Sequence, residues 1–236
     1  MQALNEHIAK DGFRLRGTAM SRIDGFSDVV FGFAITLLVV SLEVPRTFDE
    51  LNHSLRGFIP FAICFLMLIL VWYSHYKFFR RYGLHDAGTI AINALLLFVV
   101  LFYVYPLKFL FTVLASGIIG GDNSAIGTTS QMRDLMVLYG VGFTAVYLLF
   151  TALYWNARHQ RRELTLNPTE LFLTHSSMIE YTAMASVGAL SVGIAILTPH
   201  GYSSFAGFAY MLLVPVGQLH DRWERRRLRA LHAHHH

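Results

Sequence analysis

The chain has 236 residues, of which 54% are hydrophobic and only 14% are charged. A soluble domain of this size carries about 25% charged residues, so the composition excludes an ordinary soluble domain and favours a polytopic membrane protein. The net charge of +4 requires no nucleic-acid partner, because the basic residues follow the membrane topology, and the single cysteine, Cys64, excludes a disulfide framework.

Six apolar runs, each long enough to cross a hydrocarbon core of ~30 Å, predict an all-α integral membrane fold. The six predicted spans are residues 21–44, 57–79, 89–114, 134–156, 173–198 and 202–219. They form one transmembrane domain over residues 21–219. Residues 1–20 are a predicted cytoplasmic N-terminus, and residues 220–236 are a basic cytoplasmic C-terminus that ends in a predicted histidine-tag remnant.

The basic residues are distributed unevenly between the two sides of the membrane. Most of the 19 lie in the N-terminus, the second and fourth loops, and the C-terminus. The positive-inside rule therefore predicts that both termini are cytoplasmic, which agrees with an even number of spans.

The first span carries charge at its cytoplasmic end, where Arg22, Asp24 and Asp28 need compensating partners. Asp28 lies about 9 Å deeper than Arg22 along a helix, so it should bond to a neighbouring helix. The second span offers Trp72 and His75 at a comparable depth, and both carry N–H donors. The simplest interpretation is that these groups lock one helix against another.

Further along the first span, Phe33, Leu37 and Val40 share one helix face, with Thr36 beside them. Such a stripe is usually explained by packing or lipid contact, and a pore is the less common explanation.

A sequence motif at the start of the first span favours the pore as the explanation of this stripe. Residues 22–28 read R-x-x-x-F-S-D at the start of the first of six spans. The motif resembles the lysosomal and prokaryotic potassium-channel family of transmembrane protein 175. Residues 34–39 look like the first helix of that family, and residues 72–75 look like its second-helix W-x-x-H.

The resemblance implies a potassium-selective channel in the inner membrane of a prokaryote, with four copies of the chain around one pore lined by the first helix. Its partners would be potassium ions, its own copies and membrane lipid. It would have no cofactor, no resident metal and no enzymatic activity. The resemblance also implies that the motif braces the first helix against the second, through Arg22, Phe26, Ser27, Asp28, Trp72 and His75.

By the same resemblance, Phe33 forms the narrowest ring of the pore, with further apolar rings at Leu37 and Val40 and a hydroxyl ring at Thr36. The family usually has Ile or Leu where this chain has Phe33, so a ring of four Phe side chains could close the axis or act as a dewetting gate.

Two other functions remain open from the residues alone. A proton-coupled transporter would use Asp28, His75 and Glu180 as a relay, although the sequence shows no inverted repeat. A membrane enzyme would need a nucleophile and base, and the short cytoplasmic loops show no such set.

Several polar residues outside the motif have structural interpretations. Asn93 should hydrogen-bond between helices, Lys108 should snorkel, and Glu180 should have a structural partner. Asn167 and Glu170 predict a helix N-terminus with Pro168 in its first turn. The basic C-terminus has two interpretations, solvated charge or a site for anionic lipid, based on five arginines: Arg222, Arg225, Arg226, Arg227 and Arg229.

Overall fold

The computed structural model describes residues 8–9, 11–40, 47–48, 58–119, 129–198 and 203–233. Within these ranges the fold is all-α, as predicted, with one isolated bridge between Ile8 and Arg14. The elements are α1 (Arg22–Val40), α2 (Phe58–Tyr82), α3 (Ala87–Ile119), α4 (Thr129–His159), α5 (Pro168–Leu197), a 3-10 helix (Ser203–Leu212) and α6 (Leu213–Ala233). The predicted end of the first span at 41–44, the start of the second at 57, the start of the sixth at 202 and the last three tag-remnant histidines, 234–236, lie outside the described residues.

Five of the described helices, α1 to α5, are long and apolar enough to cross a membrane. The sixth predicted span, residues 202–219, is built differently, because its first part is the 3-10 helix and α6 begins only at Leu213. A 3-10 helix rises about 2.0 Å per residue, against 1.5 Å in an α-helix. The run 203–219 is therefore long enough to extend about 30 Å, which is the thickness of a hydrocarbon core.

The start of α5 confirms the predicted capping signal. The Asn167 side chain accepts a hydrogen bond from the Glu170 backbone N–H at 2.8 Å, and Glu170 accepts one from the Asn167 backbone N–H at 2.9 Å. Pro168 occupies the first turn, where its missing N–H costs nothing.

Helices α4 and α5 approach each other closely at glycine positions. A Cβ atom on Gly140 of α4 would lie 2.4 Å from the Val192 side chain of α5. Small residues of this kind let helix backbones approach in a membrane, where packing drives association.

Residues 11–17 form an N-terminal clasp that docks on the end of α2. Asp11 pairs with Arg81, and the fully buried Phe13 ring packs on the Tyr82 ring with centroids 5.3 Å apart. The Gly17 N–H donates to the Arg80 carbonyl at 3.2 Å, and a Cβ on Gly17 would lie 2.2 Å from a backbone oxygen of α2. Only glycine fits at this approach, so the clasp is tied to α2 immediately before α1 begins.

The clasp also reaches α5 through Glu170, whose side chain is fully buried. Arg14 donates to the carboxylate from its backbone N–H and its guanidinium at 2.8 to 3.0 Å. The Arg16 guanidinium donates to the same carboxylate at 2.9 and 3.2 Å. One carboxylate therefore joins the segment before α1 to the start of α5.

Candidate functional site

Helix α1 has a packed face and an exposed face. The packed face lies against α2 and α3 and follows an i, i+4, i+7, i+11 spacing. Its four buried residues are Ser27, Phe31, Ala34 and Leu38.

The opposite side of α1 carries an exposed stripe with the same spacing, formed by Val29, Phe33, Thr36 and Val40. The side chain of Phe33 is 63% exposed, and that of Val40 is 73% exposed. Three of the four residues predicted to line a pore lie in this stripe. The fourth, Leu37, is half-buried at its edge, and Val29 belongs to the stripe although the sequence did not single it out.

Asp28 bonds to the neighbouring helix. The Trp72 indole N–H of α2 donates to its carboxylate at 2.8 Å. Ser27, one residue earlier, is fully buried, whereas Asp28 is exposed, so the two adjacent side chains point in different directions.

A buried hydrogen-bonded chain connects α1, α3 and α2. Asn93 of α3 donates from its amide to the Ser27 hydroxyl at 3.0 Å, and its amide oxygen lies 2.9 Å from His75 Nε2 of α2. The Ser27 hydroxyl donates in turn to the Ile23 carbonyl at 2.7 Å. This confirms the interhelical role predicted for Asn93 and gives His75 a partner other than Asp28.

Two motif residues lie outside this set of interhelical hydrogen bonds. Arg22 and Phe26 are exposed, and no described hydrogen bond or ion pair joins either to Trp72 or His75. Asp24 instead caps α1, because one of its carboxylate oxygens accepts hydrogen bonds from the Ser21 backbone N–H and hydroxyl at 3.0 and 2.8 Å.

A cavity of about 190 Å³ lies between the clasp, α1 and α2. Asp24, Asp28, His75 and Arg80 are among its lining residues. The second carboxylate oxygen of Asp24 is buried without a hydrogen-bond partner among the described residues. A cavity of this size with charged groups in its wall can hold several waters, which would hydrate these carboxylates at the base of α1.

The three residues of the alternative proton relay do not form one network. Asp28 bonds to Trp72, His75 bonds to Asn93, and no described hydrogen bond joins Glu180 to either Asp28 or His75. The structure therefore does not favour the transporter.

Replacing Asn93 with leucine is expected to lower the free energy of unfolding by about 1 to 3 kcal/mol, because two interhelical bonds are lost and the buried His75 and Ser27 lose partners. Thermal unfolding of the detergent-purified protein measures this effect. Ser186→Ala is the control, since among the described residues that exposed hydroxyl bonds only to a carbonyl of its own helix, at 2.8 Å. Equal midpoints for Asn93→Leu and wild type would contradict a bracing role.

Comparisons with known proteins agree with the motif. The family model "Endosomal/lysosomal potassium channel TMEM175" matches residues 22–103. A potassium channel of Marivirga tractuosa is 44% identical over 230 residues, which are 93% of this chain and 93% of that protein. A potassium channel of Streptomyces collinus is 26% identical over 141 residues, which are 57% of this chain and 63% of that protein.

Two solved structures share the fold. A crystal structure of a variant of the potassium channel MtTMEM175, in complex with a Nanobody-MBP fusion protein, matches with a TM-score of 0.83 and 43% identity over 93% of this chain and 99% of that one. A lysosomal potassium-selective channel TMEM175 homologue from Chamaesiphon minutus matches with a TM-score of 0.56 over 84% of this chain and 96% of that one; at 23% identity it shows the fold alone. These proteins are named as channels rather than enzymes. Identity of 44% across 93% of its length shows that the chain belongs to the TMEM175 family of potassium channels.

Proposed function

We propose that this protein is a potassium-selective channel in the inner membrane of a prokaryote, built as a homotetramer around one pore lined by the exposed stripe of α1. The observation that carries the proposal is this stripe, which begins directly after the family motif and lies opposite the packed face of the helix. Four copies that turn this face inward would enclose an axial path within the surrounding lipid.

The apolar cavity between helices of a single chain is a poor path for ions, which favours an ion path between chains. The cavity between α2, α3 and α4, of about 70 Å³, is lined mainly by aliphatic and aromatic side chains such as Leu68, Val100 and Phe143. An ion in such a cavity would lose its water without gaining ligands, at a high cost in free energy.

Phe33 is the proposed constriction, and Leu37 and Val40 add apolar rings beyond it. Because such rings offer no carbonyl cage, an ion must cross with part of its water shell, and potassium holds that shell less tightly than sodium. The bond of Asp28 to Trp72 and the bonds of Asn93 to Ser27 and His75 would keep α1 in place around the axis.

Thr36 is the proposed source of polar contacts in the pore. Its hydroxyl donates to the Gly32 carbonyl at 2.9 Å, which uses its only proton and leaves the oxygen lone pairs available to a cation. Four such oxygens would offset part of the lost hydration.

Potassium flux into proteoliposomes tests the function. The purified protein should carry potassium faster than sodium, and protein-free vesicles should carry neither. Its mass in detergent should be that of four chains. No flux from any variant, with tetramers intact, would refute the channel and leave the fold standing.

Thr36→Val is expected to lower the potassium-to-sodium permeability ratio by about threefold to tenfold, since it removes the hydroxyl and keeps the side-chain shape. Thr112→Val on α3 is the matched control, because Thr112 makes the same bond to the carbonyl four residues earlier, at 2.9 Å. A Thr36→Val channel with an unchanged ratio would exclude this hydroxyl from selectivity.

A further inference from the structure

The exposed side of α6 changes from apolar to basic within a short distance. Pro215 and Leu219 lie one turn apart on the first half of the helix, and both are exposed, Leu219 by 65%. Arg222 is the next exposed residue on this side, about 4.5 Å further along the axis from Leu219. A change of this kind is expected where a helix leaves the hydrocarbon core and enters the headgroup layer.

Four exposed arginines continue this side of α6. Their spacing of i, i+3, i+4 and i+7 places them within an arc of about 100° over about 10 Å of helix. We call this set the arginine stripe; its members are Arg222, Arg225, Arg226 and Arg229. None of them forms an ion pair with a described carboxylate.

The other side of α6 is held by α5. The Ser176 hydroxyl of α5 donates to the Glu224 carboxylate and lies 3.0 Å from His220 Nε2. The Trp223 and Phe172 rings pack with centroids 5.5 Å apart. Because the Glu224 carboxylate faces α5 and accepts a hydrogen bond there, the arginine stripe on the other side of α6 faces away from the bundle.

The same contacts fix the position of the arginine stripe along the bundle. They set residues 223–224 beside residues 172–176, so the antiparallel α6 passes the start of α5 at Pro168 as it continues. Trp223 and the exposed Trp155, near the end of α4, lie at this end of the bundle, as expected for an aromatic belt at a membrane interface.

We propose that the arginine stripe is a binding site for the phosphate headgroup of an anionic phospholipid in the cytoplasmic leaflet, whose acyl chain lies along Pro215 and Leu219. Guanidinium groups bind phosphate oxygens in a bidentate manner. The apolar surface that continues from the stripe selects a lipid over a soluble phosphate. Four like charges also disfavour a second copy of the same face, and only Asp221 adds an exposed carboxylate at the edge of the stripe.

Native mass spectrometry of the full-length protein in a neutral detergent tests the site. Phosphatidylglycerol and phosphatidylcholine of the same chain length are titrated separately. The wild type should bind phosphatidylglycerol more tightly, and glutamine at all four stripe positions should abolish this preference. Lysine at the same four positions should keep most of it. No preference in the wild type, or an undiminished preference in the four-glutamine variant, would overturn the proposal.

A matched pair of single variants remains informative if the four-glutamine protein fails to fold. Arg226→Gln and Arg227→Gln remove the same charge from adjacent residues, but only Arg226 belongs to the stripe. Arg226→Gln should weaken phosphatidylglycerol binding about fivefold, and Arg227→Gln should leave it nearly unchanged. Equal losses in the two variants would show a response to net charge alone. Displacement of the lipid by millimolar glycerol phosphate would show a site for soluble phosphate. Either result would overturn the proposal.

Discussion

Replacing Phe33 with isoleucine is expected to raise potassium flux per tetramer by about tenfold, because a tenfold rise needs the barrier to fall by only about 1.4 kcal/mol. Phe33 is 63% exposed on α1 and has no described ring partner within its own chain. In the proposed tetramer, four phenyl rings would meet near the axis and exclude water, whereas four isoleucines would leave a wider and better hydrated path.

The control for this variant is Phe102→Ile, the same substitution at an equally exposed position on α3. It should leave flux unchanged, since the pore is proposed to lie along α1. Flux is measured in proteoliposomes with equal amounts of tetramer, with potassium and sodium in separate vesicles. If Phe33→Ile and Phe102→Ile behave alike, Phe33 is not the constriction.

The family and the fold class could be predicted from the sequence because both depend on local signals. A run of apolar residues is long enough to span a membrane or it is not, and the motif at residues 22–28 occupies one continuous stretch. The capping box of Asn167 and Glu170 is a signal of the same local kind, and the structure confirms it.

The contacts between distant segments could not be predicted in the same way. Arg14 and Glu170 are 156 residues apart. Membrane topology already explained the basic residue and helix capping already explained the acid, so nothing in the sequence indicated that they pair. His75 and Asn93 were both recognised as polar residues inside spans, but spacing alone does not show which helices touch. The structure supplies that pairing by setting α1 against α2 and α3.

The sixth span illustrates a different limit. Hydropathy predicts a membrane span at residues 202–219. It does not distinguish an α-helix from a 3-10 helix, and these two differ in the rise per residue. It also places the end of the span where the polar residues begin, whereas α6 continues to Ala233. The arginine stripe therefore lies on a packed helix, where its direction is fixed by the contacts of Glu224 and Trp223.

Glu170→Gln is expected to destabilise the N-terminal clasp by about 2 to 3 kcal/mol. This is below the ~3 to 5 kcal/mol typical of a fully buried ion pair, because solvent partly screens the two arginines. The Glu170 side chain is fully buried, while those of Arg14 and Arg16 are 31% and 20% exposed. A neutral amide would turn an N–H group toward two guanidinium groups that need acceptors.

Limited trypsin digestion measures this loss directly, because Arg14 and Arg16 are themselves cleavage sites protected by the clasp. A loss of 2 kcal/mol should speed cleavage there by about 30-fold when the clasp opens and closes rapidly. Glu163→Gln, an exposed carboxylate in the connection before α5, is the control and should leave the rate unchanged.

A second variant separates the charged and apolar halves of the clasp. Phe13 is fully buried, so Phe13→Ala should release the segment by removing its packing on Tyr82. If Phe13→Ala accelerates cleavage while Glu170→Gln does not, apolar packing alone holds the clasp and the buried carboxylate serves only to cap α5. If both accelerate it, the start of α1 is fixed by α2 and α5 together, so a change at the beginning of α5 can reach the proposed pore helix.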